Sequence, residues 1–88
     1  MTYQIVLSRQ ARRALSDDLP EAAAVACWEF ISGHLAENPR RVGKPLRGHL
    51  EGRYSARRGE FRVIYRIIDE RIRVEVINIR HRRDAYRS

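Results

Sequence analysis

Gly59-Glu60-Phe61-Arg62-Val63-Ile64-Tyr65-Arg66-Ile67-Ile68, a break at Asp69-Glu70, and then Arg71-Ile72-Arg73-Val74-Glu75-Val76-Ile77-Asn78-Ile79 is the stretch whose reading decides the fold. On both sides of the acidic break an apolar residue recurs at every second position, the period of a pleated strand. The pattern predicts two strands, near 60–68 and 71–79, folded back on each other through an Asp69-Glu70 turn. Phe61, Val63, Tyr65 and Ile67 then share a face with Ile72, Val74 and Val76, and that apolar face must be covered. The opposite face carries Arg62 and Arg66.

Upstream, residues 52–57 read as a third strand of the same meander. Here Arg53, Ser55 and Arg57 alternate with Tyr54 and Ala56, so Arg53, Arg57 and Arg62 can gather on the face away from the apolar residues. Arg40-Arg41-Val42-Gly43-Lys44-Pro45-Leu46-Arg47-Gly48 is punctuated by Gly and Pro and predicts a surface loop. The cover for the sheet comes from the N-terminal half. Tyr3-Gln4-Ile5-Val6-Leu7 reads as a short strand, and Ser8 as the N-cap of a helix reaching about Asp17, with Ala11, Ala14 and Leu15 on one side. A second helix starts at Pro20, repeats Ala24, Trp28, Ile31 and Leu35 at helical spacing, and stops at Asn38-Pro39, a length of roughly 28 Å. Each helix has one apolar stripe, so the pair should form a hairpin on one face of an antiparallel sheet, with Trp28 and Phe30 as core candidates. The expected class is α+β in one domain, residues 1–88.

Charge is distributed unevenly along this chain. Seventeen of the eighteen basic residues are Arg; residues 1–39 carry three Arg against five Asp/Glu, and residues 40–88 carry fifteen Lys/Arg against six Asp/Glu. The halves thus differ in sign, net −2 against +9. A segregated positive field attracts polyanions, and the planar guanidinium meets a phosphate with two hydrogen bonds, so nucleic acid is the first partner to consider. A solvated arginine face is the alternative for each residue taken singly. Cys27, the one cysteine, cannot make an internal disulfide and reads as a small buried hydrophobe in a reducing compartment. No apolar run approaches the roughly eighteen residues of a membrane helix and no signal-peptide core is present, so a cytoplasmic location away from any membrane is expected. His34, His49 and His81 lack ligand spacing with Cys or Asp, and neither a metal nor a cofactor is expected.

The order strand, helix, helix, meander, together with Lys44-Pro45-Leu46, Leu50-Glu51-Gly52, Tyr54, Arg57-Arg58, the run Gly59 to Arg66 and the ending His81-Arg82-Arg83-Asp84-Ala85-Tyr86-Arg87, resembles the RelE/ParE superfamily of toxins from type II toxin–antitoxin systems. The likeness covers nearly the whole chain. It implies, for the RelE branch, a metal-independent endoribonuclease that cuts mRNA in the ribosomal A site, with the ribose 2′-hydroxyl as nucleophile. It also implies a cognate antitoxin as partner, besides the ribosome and its message. The family's active-site positions fall on Arg53, Arg57, Arg62, His81, Arg82 and Tyr86. Arg62, His81, Arg82 and Tyr86 are the implied catalytic residues, and Lys44, Arg53, Arg57 and Arg58 the RNA-binding ones. Ser55 stands where some relatives have a lysine, and Leu46-Arg47 where others have a Glu, which leaves the general base open between Glu51, Glu60 and His81. The ParE branch, which inhibits DNA gyrase without cutting RNA, is the alternative that the same fold permits.

Chemistry restricts the roles independently. Attack of a 2′-hydroxyl on its neighbouring phosphate needs a proton removed, charge stabilised on the phosphoryl oxygens and a proton given to the leaving oxygen. Arginine serves the second need and is a poor proton acceptor. Imidazole can both take up and give a proton, which makes His81 the candidate general acid or base, and Tyr86 can stack on a base or donate to a phosphate.

Overall fold

A computed structural model describes residues 2–81 and 83; two of the implied site residues, Arg82 and Tyr86, lie outside the described residues. The chain runs β1 (Gln4–Leu7), α1 (Arg9–Arg13), α2 (Glu21–Phe30), α3 (Pro39–Val42), β2 (Lys44–Pro45), β3 (Tyr54–Arg58), β4 (Phe61–Ile68) and β5 (Arg73–His81). All five strands join one sheet in the order β1-β5-β4-β3-β2. The meander is antiparallel as its alternation predicts, whereas β1 enters beside β5 in parallel, Ile5 opposite Val74 and Leu7 opposite Val76. That parallel edge makes the sheet mixed and leaves the α+β architecture intact. The chain after β1 must cross back over the sheet to reach the meander, and the helices are that crossover.

Ser8 caps α1 as its sequence position suggests. Its Oγ accepts from the Ala11 amide at 3.0 Å and donates to the Ile77 carbonyl on β5 at 2.6 Å, tying the helix start to the sheet. Both long helices widen into π turns, at Ala14–Asp18 and Ile31–Leu35. A wider turn slips the helical phase, so neighbours Leu35 and Ala36 are both buried. Beneath the helices, Ala11, Ala14, Cys27, Ile31 and Leu35 meet Ala56, Val63, Tyr65, Val74, Val76 and Ile79 in one core.

Three sequence expectations shift. Trp28 is 44% exposed, because the buried stripe of α2 runs Cys27, Ile31, Leu35, one residue round from the Ala24–Trp28 line; Phe30 packs against the core at half burial. The turn is longer than Asp69-Glu70. Residues Asp69–Arg71 form a 3₁₀ turn and Ile72 follows it in the left-handed region at φ 50°, exposed rather than facing the sheet's apolar side. Lastly, β5 carries a bulge: Ile64 pairs with Asn78 but Tyr65 pairs with Val76, leaving Ile77 as an extra residue.

Tyr65 deserves its place at the centre. It is fully buried, stacks on Tyr54 at 5.6 Å between centroids, and donates its hydroxyl to the Pro39 carbonyl at 2.5 Å. Burial pushes its phenol well above the ordinary range. This contact fastens the 39–43 segment, and with it edge strand β2, against the meander.

Candidate nucleic-acid interface

Residues directly opposite one another on paired strands project to the same face. Arg57 lies opposite Arg62, and Arg62 opposite Arg80, so three guanidinium-bearing positions form one row across β3, β4 and β5 on the face away from the core. With strands about 4.8 Å apart, the row is about 10 Å long. A second row runs beside it through Lys44, Ser55, Ile64 and Asn78. Arg53 precedes Ser55 by two residues and joins the same surface.

Like charges directly opposite each other on a sheet repel, and the row sets two such pairs in succession. Two other arginines have carboxylate partners: Arg66 pairs with Glu75 at 3.1 Å, and Arg40 with Asp69, whose carboxyl that guanidinium holds below the usual range. Among the described residues, no carboxylate stands within ion-pair distance of Lys44, Arg53, Arg57 or Arg80.

Arg62 borders two depressions. One, about 680 Å³, lies toward β2 and is lined by Arg41, Lys44, Leu46, Ser55 and Arg57 among others. The other, about 200 Å³, lies toward β5, where Arg53 and Arg80 share the lining with Ile64, Ile77 and Asn78. Among the described residues, Lys44 is the one titratable side chain besides arginine that lines either of them. A larger groove of about 850 Å³ runs along the two helices, lined mainly by apolar side chains such as Leu15, Leu19, Val25 and Trp28, and lacks this convergence of cations.

The expected site residues therefore divide between two faces. Lys44, Arg53, Arg57 and Arg62 come together. Arg58 and His81 do not join them: Arg58 pairs with Phe61, and Phe61 with His81, on the face that the helices cover. His81 places Nε2 3.5 Å from Glu60 Oε2, accepts the Arg83 amide on Nδ1 at 3.2 Å, and meets Phe61 edge-on at 5.4 Å. Glu60 thus lies with His81, outside the row. Arg58 borders a small depression with Cys27, whose thiol burial pushes up despite the nearby guanidinium.

The bulge is the physical reason. Unbroken alternation from Val74 and Val76 would turn Arg80 inward and His81 outward; the extra residue at Ile77 inverts the parity, buries Ile79 and puts Arg80 beside Arg62. Arg80 is accordingly the site residue that strand alternation misses. The Asn-Ile-Arg-His sequence offers no local mark of the bulge.

Comparison with known proteins agrees with this architecture. Residues 5–86 match the family model described as the ParE toxin of the type II toxin–antitoxin system parDE. The chain is 51% identical over 85 residues to Toxin RelE of Mycobacterium tuberculosis, covering 97% of this chain and 87% of that protein. It is 46% identical over 87 residues to Toxin RelG of the same organism, covering 99% of each. The toxin–antitoxin complex RelBE2 from M. tuberculosis superposes with a TM-score of 0.88 at 43% identity, over 92% of each chain.

Proposed function

Since the chain belongs to the RelE/ParE superfamily of type II toxin–antitoxin toxins, we propose that it is a ribosome-dependent mRNA endoribonuclease acting in the cytoplasm, cutting the message in the A site by attack of a 2′-hydroxyl on the adjacent phosphate. The observation that carries this reading is the row Arg57, Arg62, Arg80, flanked by a depression on each side. A ribose-phosphate backbone bent at the scissile bond seats its phosphate on Arg62 and its neighbouring nucleotides to either side. The guanidiniums stabilise the charge that grows on the phosphoryl oxygens, a role that needs no proton transfer. Among the described residues of this surface, Lys44 is the candidate proton donor to the leaving 5′ oxygen.

Primer extension on a message under translation tests the proposal. Cuts inside codons should appear with the wild type and fall by about 10²-fold with Arg62→Ala. Growth arrest beside intact messages would overturn it.

A gyrase-directed mode of action is the second reading, favoured by the ParE description of the matching family model. The RelE and RelG names of the two relatives favour the first. A supercoiling assay with purified gyrase separates them, since an RNA-cutting toxin leaves supercoiling unchanged.

The similar structure from M. tuberculosis is a toxin–antitoxin complex, and we infer a cognate antitoxin for this chain as well. An acidic or amphipathic helix suits a surface so rich in arginine. Co-purification of an untagged neighbouring gene product with this toxin would establish it; a chain harmless when expressed alone would count against it.

A further inference from the structure

The bulge does more than bring Arg80 to the arginine row. It sets Ile77 and Asn78 side by side on β5 next to Ile64, in the lining of the depression toward β5, and Ser8 fixes it by donating its hydroxyl to the Ile77 carbonyl at 2.6 Å and its amide to the Val76 carbonyl at 2.9 Å. Leu50 completes an apolar lining, and Gln10 of α1 borders it. At about 200 Å³, the space is on the scale of one flat ring system rather than of a whole nucleotide. Apolar side chains beside a phosphate-binding arginine are what an unstacked base requires.

Polarity then restricts which base. Asn78 Oδ1 accepts from the Ile79 amide at 2.9 Å, which fixes the side chain by its oxygen and leaves both NH₂ hydrogens to a ligand. Arg53 and Arg80, which line the same depression, can only donate. Donors that face position 6 of a purine or position 4 of a pyrimidine match the carbonyl that guanine or uracil has there and confront the amino group that adenine or cytosine has at the same place. We propose that this depression is a nucleobase subsite that takes a keto base, guanine or uracil, adjacent to the phosphate at Arg62, with Asn78 as the residue that sets the preference. The inference rests on the RNA-cleaving reading for its biological setting, and its binding test does not.

The test titrates the isotopically labelled full chain with the four nucleoside 5′-monophosphates and with inorganic phosphate, following backbone amides by NMR. GMP and UMP should shift the amides of Ile77 and Asn78 and bind several-fold more tightly than AMP and CMP, whereas phosphate alone should perturb the Arg57 and Arg62 region only. Asn78→Asp keeps the oxygen that accepts from Ile79 and replaces the donors with an acceptor, so it should preserve the fold and shift the preference toward AMP and CMP. Equal response to all four nucleotides, or an unchanged preference in Asn78→Asp, overturns the proposal. Mapping of cut sites in cells supplies the second arm. Cuts by Asn78→Asp at different nucleotides from the wild type support the subsite, and cuts at identical positions refute it while leaving the nuclease reading in place. If the wild type makes no cuts, the nuclease reading falls and the titration alone decides the subsite.

Discussion

Gly43 has an ordinary extended backbone, φ −128°, so conformational freedom does not explain why a glycine stands there. Space does. A Cβ at that position would fall inside contact distance of the Tyr65 hydroxyl, 3.1 Å from Tyr65 Cζ and 3.0 Å from the Ser55 carbonyl. Gly43→Ala is expected to destabilise by about 1–3 kcal/mol through overpacking, read as a lower urea midpoint. Tyr65→Phe deletes the oxygen that the new methyl would strike, at a cost of about 1 kcal/mol for the lost hydrogen bond to Pro39. The double variant should therefore be more stable than the sum of the two singles implies; strict additivity would refute the contact. A second residue-scale prediction concerns the two faces of the sheet. Arg80→Ala should reduce message cleavage about as strongly as Arg62→Ala, on the order of 10²-fold, while Arg58→Ala on the helix side stays near wild type. The reverse ranking, measured by primer extension, would mean that the face of Arg58 and His81, and not the arginine row, carries the site.

Among the elements, the β4–β5 turn is the strained one. Ile72 adopts φ 50° with a β-branched side chain and is 39% exposed, so little burial offsets the conformational cost. Ile72→Asn suits that conformation and should raise stability by about 1 kcal/mol, visible as a higher thermal midpoint. No change would imply that the Ile72 side chain contributes packing equal to the strain. Strand β2 shows the opposite economy: two residues long, with a proline, it ends the sheet without offering an edge for another chain, while still holding Lys44 opposite Ser55.

For the molecule as a whole, the segregation of charge matters more than its sum. The helices and core occupy one side of the sheet, and Arg57, Arg62 and Arg80 share the other. Binding of single-stranded RNA should therefore release counterions. With three phosphates engaged by Arg57, Arg62 and Arg80, the logarithm of affinity should fall against the logarithm of salt with a slope of about −2, and Arg57→Ala should reduce that slope by about 0.7. Fluorescence anisotropy of a labelled oligonucleotide across salt concentrations measures it. A slope near zero would mean that the row does not meet the backbone.

The meander, its apolar face, the Ser8 cap and the grouping of Arg53, Arg57 and Arg62 were legible in the chain because each follows from a local period of two or from a capping preference. The parallel docking of β1, the exposure of Trp28 and the placement of Arg80 beside Arg62 were not. Each depends on how separate segments meet: β1 on a partner some seventy residues away, Trp28 on which of two adjacent stripes the sheet selects, and Arg80 on one extra residue in β5 held by a serine that follows the neighbouring strand β1. Alternation gives the face of every residue in a strand only while the ladder is unbroken, and a bulge is decided by tertiary packing.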